Sequence, residues 1–148
     1  MNDSFFARYF AALDGPDRYS AMAYVADDLE FVILWAPDGG AHSRQFTGGP
    51  DALRGFTAAG DLDGWSHHLL SVARDGDTEV VVGETRWDHD GRHIGTFVCV
   101  AELDGDGRMR RYLVGRSPAI RFSTEVTSDR GSSIDSPFSD QESTRGAQ

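Results

Sequence analysis

Some residue types are rare or missing in this chain of 148 residues, and each absence excludes a class of chemistry. Lysine does not occur, because all 14 basic residues are arginine, so a lysine Schiff base is excluded as an intermediate. Cys99 is the single cysteine, which excludes an internal disulfide and favours a reducing cytoplasm as the location. No apolar run approaches the length of a membrane span, so we expect no membrane partner.

Negative charge dominates what is present. The chain has 24 acidic and 14 basic side chains and a formal net charge of −10 at pH 7. Nucleic acids and anionic membrane surfaces would repel it, so we expect neither as a partner. The first four residues contain no basic region, and we therefore expect no leader.

Acidic-glycine turns recur at nearly even spacing in the second half of the chain. They are Asp75-Gly76-Asp77, Asp90-Gly91 and Asp104-Gly105-Asp106-Gly107. Such turns supply the positive φ that tight hairpins need, and the runs between them are rich in strand-forming residues. We predict four long antiparallel strands, over residues 65–74, 78–88, 92–103 and 108–122.

The first half of the chain is predicted to be mostly helical. Apolar residues at helical spacing over 4–13 indicate a helix with Asp3 or Ser4 as its N-cap. The elements predicted after it are a helix over 17–25, a strand over 29–35 that is buried on both faces, a short strand over 42–47, and a helix from 48 to about 59.

The composition changes again at residue 123, to a polar segment in which Ile134 and Phe138 are isolated apolar residues. Such a segment buries too little surface to fold. We predict one domain over residues 1–122 and a disordered tail over 123–148, which is dispensable for folding. The fold class is α+β, with a cone-shaped curved antiparallel sheet and N-terminal helices enclosing one pocket.

This order of elements resembles the nuclear transport factor 2-like superfamily, which includes SnoaL-like cyclases and ketosteroid isomerases. The resemblance covers about residues 4–122. Its most specific segments are residues 7–13, Ala26-Asp27-Asp28, and Gly105-Asp106-Gly107-Arg108-Met109. It implies the fold, whereas the superfamily includes several reactions and also proteins without catalysis.

Two residues match the oxyanion hole of ketosteroid isomerases. The resemblance places Tyr9 where those enzymes have a tyrosine, and Cys99 where they have a protonated aspartic acid. Their catalytic aspartate falls near the end of the first strand, where this chain has Val32, Ile33 and Leu34. Without that base, steroid isomerisation of the same kind is not expected.

A second match concerns limonene epoxide hydrolases. Arg86 and Asp88 correspond to their Arg-x-Asp motif, in which both side chains point into the pocket. Their second aspartate falls on Val114, or with a gap on Arg111. The pair of residues that activates water in those enzymes is therefore incomplete, so this match does not establish epoxide hydrolysis.

Hairpin register predicts which side chains face the interior. If Asp90-Gly91 is a two-residue turn, then Glu84, Arg86 and Asp88 share the inner face with residues of the next strand. The same reasoning places His67 on that face, opposite Arg86, although a slip of one residue would select His68 instead. Asp88 is then the candidate base, His67 its acid or base partner, and Arg86 and Tyr9 the groups that stabilise an oxyanion.

Each candidate also has a purely structural interpretation. Asp88 and Arg86 could form a salt bridge at the rim of the cone, and Glu84 could pair with Arg86. Tyr9 could belong to the core, and Cys99 to a buried apolar cluster. No spacing typical of metal ligands or of a nucleotide-binding loop is present, so we expect neither a metal nor another cofactor.

Large apolar side chains complete the predicted pocket and suggest a flat, mostly apolar ligand. The residues predicted to contact it are Trp35, Phe56, Trp65, Glu84, Phe97, Cys99 and Tyr112. The leading hypothesis is cofactor-independent acid/base chemistry (cyclisation, isomerisation, dehydration or hydration) on a polyketide-, terpenoid- or steroid-like molecule. The alternative is a non-catalytic module that binds a small ligand or another protein. Val81, Val98 and Val100 are predicted on the outer face of the sheet, where they favour a homodimer.

Overall fold

Two α-helices and a 3-10 helix pack on one face of a curved sheet in the computed structural model, which describes residues 3–35, 44–59 and 64–122. The helices are α1 (Phe5–Leu13), the 3-10 helix (Arg18–Tyr24) and α2 (Pro50–Ala59). The strands are β1 (Val25–Trp35), β2 (Arg44–Gly48), β3 (Trp65–Asp75), β4 (Thr78–Trp87), β5 (His93–Leu103) and β6 (Met109–Ser117). The α+β class is confirmed.

The six strands form one open sheet in the order β2-β1-β6-β5-β4-β3. Strands β3 to β6 follow one another as antiparallel hairpins, whereas β1 lies parallel to β6. Gly76, Gly91 and Gly107 have φ values of 60°, 70° and 77°, the left-handed conformation for which glycine is suited. The predicted meander is therefore confirmed, although β6 ends five residues before the predicted limit.

Helix α1 is held at its N-terminus by a buried carboxylate from the sheet. Ser4 caps the helix by accepting a hydrogen bond from the Ala7 amide. Its hydroxyl in turn donates to Glu79 of β4 (2.7 Å), and the amides of Phe5 and Phe6 also donate to Glu79 (both 2.9 Å). One carboxylate thereby satisfies donors that a helix start leaves unpaired, and it fixes α1 against the inner face of the sheet.

Strand β1 differs from its prediction. Leu29, Phe31 and Ile33 are buried, but Glu30 is exposed and Leu34 is 41% exposed. One face of β1 therefore meets the core and the other faces outward, so the prediction of burial on both faces is wrong. The continuous apolar run arose because the outer face of the sheet is apolar as well.

The core lies between α1, the 3-10 helix and the inner face of the sheet. Its buried aromatic residues are Phe5, Phe6, Tyr9, Phe10, Phe31, Phe97 and Tyr112. Within the described residues, no helix has the length and apolar character needed to cross a membrane. The predicted tail, 123–148, lies outside the described residues.

Candidate functional site

A cavity of about 380 Å³ lies between the concave face of the sheet and helices α1 and α2. Its wall is mainly aromatic: Trp35, Phe46, Phe56, Trp65, Trp87 and Phe97 contribute to it. Its polar lining residues are Tyr9, Arg44, Thr57, His67, Cys99, Tyr112 and Arg116. A few polar groups in an apolar hollow are typical of a small-molecule site.

His67, which lines this cavity, makes two hydrogen bonds to the carboxylate of Asp14. The Asp14 carboxylate accepts two hydrogen bonds from one residue, from the His67 backbone amide (2.8 Å) and from His67 Nδ1 (2.7 Å). Asp14 is the C-cap of α1, so the end of the helix positions the carboxylate over β3. The ring of Phe10, one turn earlier, stacks on the imidazole with centroids 4.2 Å apart.

This geometry determines which nitrogen of His67 is available. An ionised carboxylate only accepts hydrogen bonds, so Nδ1 carries the proton and Nε2 keeps its lone pair. Burial lowers the pKa of His67 below its ordinary value of 6.5 and outweighs the opposite effect of Asp14. At neutral pH the ring is therefore neutral, oriented and able to accept a proton at Nε2.

Tyr9, Tyr112 and Cys99 form a buried polar cluster in the lining. The rings of Tyr9 and Tyr112 have centroids 6.0 Å apart, and Cys99 Sγ lies 3.8 Å from Tyr112 Oη. Burial raises the pKa of both phenols, and it raises the pKa of Cys99 to about 12. All three groups are thus protonated, and Cys99 has no thiolate with which to act as a nucleophile.

Arg116 of β6 brings a positive charge to the cavity wall. Its guanidinium lies between two tryptophans, with Cζ 4.3 Å from the ring centroid of Trp35 and 4.9 Å from that of Trp65. Nη2 donates to Thr85 Oγ1 (2.8 Å).

The structure brings together most of the predicted site residues. Those that line the cavity are Tyr9, Trp35, Phe56, Trp65, His67, Phe97, Cys99 and Tyr112. Of the two histidines left open by the sequence, His67 is the one on the cavity. The next residue, His68, pairs with Glu84 across the sheet, and its Nε2 lies 3.1 Å from Ser66 Oγ.

Glu84, Arg86 and Asp88 are outside the cavity lining, so the predicted inner face of β4 is wrong. The turn has four residues rather than two, since the amide of Trp87 bonds to the carbonyl of Arg92. That turn alone shifts the pairing by two residues, as seen for Arg86 with His93, and a β-bulge between Thr85 and Arg86 takes back one of them. The net shift is one residue, so Glu84 pairs with Thr96 instead of Phe97. A shift of one residue exchanges the two faces of a strand.

On the outer face these residues make structural contacts. Glu84 is fully buried and accepts hydrogen bonds from Arg86 and from Arg121, which follows β6. Burial raises its pKa, but the two arginines outweigh burial and hold the pKa below the ordinary value. Asp88 lies in the exposed turn and accepts a hydrogen bond from Ser66 Oγ (2.8 Å).

The polar residues of the site that were not predicted include Asp14 and Arg116. Arg116 follows Tyr112 and Val114 at a spacing of two, so the alternation of β6 could have placed it on the inner face. Asp14 has no comparable signal, because its contact joins residues 53 positions apart. Within residues 3–35, 44–59 and 64–122, no three His, Cys, Asp or Glu side chains converge on a common point as metal ligands would.

Solved structures resemble this arrangement of helices and sheet. A proposed isomerase of the SnoaL-like family from Agrobacterium tumefaciens is 15% identical, with a TM-score of 0.59, over 76% of this chain and 94% of its own. The chain has the fold of the SnoaL-like proteins. A proposed ketosteroid isomerase from Kribbella flavida is 16% identical, with a TM-score of 0.56, over 80% and 79%. A proposed polyketide cyclase from Sinorhizobium meliloti is 24% identical, with a TM-score of 0.51, over 74% and 92%.

Comparison with family profiles and with curated protein sequences does not detect this relationship. No family profile matches the chain, and no curated protein sequence does either. At these identities the SnoaL-like proteins share the fold, whereas the reaction depends on the side chains of each cavity. In this chain Val32, Ile33 and Leu34 stand where the resemblance places the isomerase base, and His67 of β3 is a titratable residue in the lining of the cavity.

Proposed function

We propose that this protein catalyses cofactor-independent proton transfer on a small, largely apolar carbonyl compound, with Nε2 of His67 as the base. The single observation that supports this role most strongly is the two-point contact of Asp14 with the His67 amide and Nδ1. It orients the ring and leaves one basic nitrogen for a ligand in the cavity. Asp14 is then a positioning residue, and His67 the catalytic one.

The chemical step follows from this arrangement. A C–H bond next to a carbonyl breaks, its proton moves to Nε2, and its electron pair moves onto the carbonyl oxygen. The protonated hydroxyls of Tyr9 and Tyr112 are suited to donate hydrogen bonds to that oxygen. Where the substrate also has a C=C bond next to the carbon that loses the proton, the product is a dienolate, and return of the proton to its γ-carbon shifts the double bond and completes an isomerisation. Attack of the enolate carbon on a second carbonyl, followed by protonation of the new alkoxide, completes a cyclisation.

Deuterium exchange provides a test that needs no knowledge of the natural substrate. The protein should accelerate exchange of the α-protons of 1-tetralone in D₂O, measured by proton NMR against buffer alone. The rate should be highest above pH 6.5 and should decline as the acidity rises through the lowered pKa of His67, because protonation removes the lone pair. Exchange no faster than in buffer, or a rate that increases towards acid, would contradict the proposal and favour a binding module.

We also propose a homodimer formed through the outer face of the sheet. Val81, which was predicted on this face, is instead fully buried in the core. Val32, Leu113, Val100 and Val80 are direct neighbours across four strands and form an apolar row. In this row Leu113 is 49% exposed and Val80 37% exposed. An apolar row of this length on an open sheet is typical of an interaction surface.

Light scattering should therefore give about twice the chain mass of 16.2 kDa. Leu113→Glu places a charge in the middle of the row and should yield a monomer. Tyr19→Glu is a matched control, because Tyr19 is also exposed (43%) but lies on the 3-10 helix. A monomeric wild type at high micromolar concentration would disprove the dimer.

A further inference from the structure

The side chain of Arg116 is partly buried and lacks a counter-ion among the described residues. Of the contacts described above, two are with tryptophan rings and one is with the neutral hydroxyl of Thr85. Its Nε is buried without a hydrogen-bond partner. Other buried carboxylates do not compensate the charge, since Glu79 binds the start of α1 and Glu84 binds two other arginines.

A buried cation without a counter-ion is unfavourable unless something else stabilises it. Aromatic faces stabilise a guanidinium in part and hold it flat. Burial lowers the pKa of Arg116 to about 10, so the group still carries its charge at neutral pH. The cavity therefore has a fixed, oriented positive charge at one side, next to the mainly apolar wall.

We propose that Arg116 binds the carboxylate of an organic acid whose apolar, ring-containing body fills the cavity. A guanidinium presents its donors in a planar fork that matches a carboxylate, and the flanking tryptophans keep the fork in one plane. The remaining wall provides apolar surface for rings. This inference rests on the proposed function, because it assigns the same cavity to the ligand, and it specifies the charge of that ligand.

Matched acids and amides test the proposal by binding alone. Isothermal titration at pH 7 would compare benzoate, 2-naphthoate and cyclohexanecarboxylate, each with its primary amide. We expect at least one acid to bind about tenfold to a hundredfold more tightly than its amide, which is the range expected for hydrogen bonds to a charged group. Amides that bind as well as every acid, or no measurable binding of any acid, would overturn the proposal.

Substitutions locate the preference for acids. Arg116→Met keeps an apolar side chain between the tryptophans and should abolish the preference, while Arg116→Lys should retain part of it. Arg111→Gln is the control, because Arg111 is on the same strand but 55% exposed and paired with Glu102. An unchanged preference for acids in Arg116→Met would also overturn the proposal. If that variant does not fold, the comparison of acids with their amides on the wild-type protein decides between the outcomes.

The outcome can be separated from that of the exchange experiment. If the protein prefers acids but does not exchange the protons of 1-tetralone, the anion site is supported and the proposed catalysis is disproved. If the protein exchanges those protons but binds acids and amides equally, the proposed catalysis is supported and the anion site is disproved.

Discussion

His67→Asn is expected to slow α-proton exchange of 1-tetralone by about 10²- to 10⁴-fold, the usual contribution of a general base. The asparagine amide can still donate to the Asp14 carboxylate, so the local hydrogen bond is preserved. It has no nitrogen that accepts a proton near neutral pH. The loss should therefore appear in the rate of exchange, measured by NMR, and not in the melting temperature.

Two further variants make this result specific. His68→Asn changes the adjacent residue, which lies on the opposite face of β3 with Ser66, and should leave exchange unchanged. Asp14→Asn removes the charge that orients the ring, and should give an intermediate loss together with a shifted pH profile. Equal rates in His67→Asn and in the wild type would disprove the assignment of the base.

Glu79→Ala is expected to destabilise the fold by about 3 kcal/mol or more, because three buried donors lose their acceptor and each unsatisfied donor costs about 1–3 kcal/mol. The substitution leaves the Ser4 hydroxyl and the amides of Phe5 and Phe6 without their acceptor in a buried position. For a domain whose total stability is typically about 5–15 kcal/mol, this is a large fraction. Urea denaturation followed by circular dichroism measures it directly.

Glu102→Ala is the matched control for this prediction. Glu102 is also a strand glutamate, but its side chain is 37% exposed and its partners are the surface residues Arg110 and Arg111. Exposed ion pairs contribute about 0–1 kcal/mol, so this variant should unfold close to the wild type. Similar losses in the two variants would show that the contact at the start of α1 is not a principal source of stability.

The extent to which the sequence predicts this structure depends on how local each determinant is. The Asp-Gly turns act over a few residues, and they placed β3, β4 and β5 within one residue of their observed bounds. The face of each strand depends on the exact turn geometry. At residues 88–91 a four-residue turn replaces the expected two-residue one, and together with a β-bulge between Thr85 and Arg86 it moves Glu84 and Arg86 to the outside.

The site shows the same distinction. Tyr9, His67 and Cys99 lie on elements whose faces could be inferred from spacing or resemblance, and all three line the cavity. The contact of Asp14 with His67 depends on how the end of α1 meets β3, which no local pattern encodes. Arg116 could have been placed on the inner face, but its isolation from carboxylates is visible only in three dimensions.

The strand order also has a consequence for how the chain folds during synthesis. Strand β1 is joined to the meander through β6, the last of the described strands to leave the ribosome, and α1 is fixed by Glu79, 75 residues after Ser4. The apolar face of α1 is therefore exposed to solvent until distant parts of the chain have been synthesised and cover it. Because contacts between distant residues form slowly, we expect slow folding and a nascent chain that binds chaperones until β6 pairs with β1.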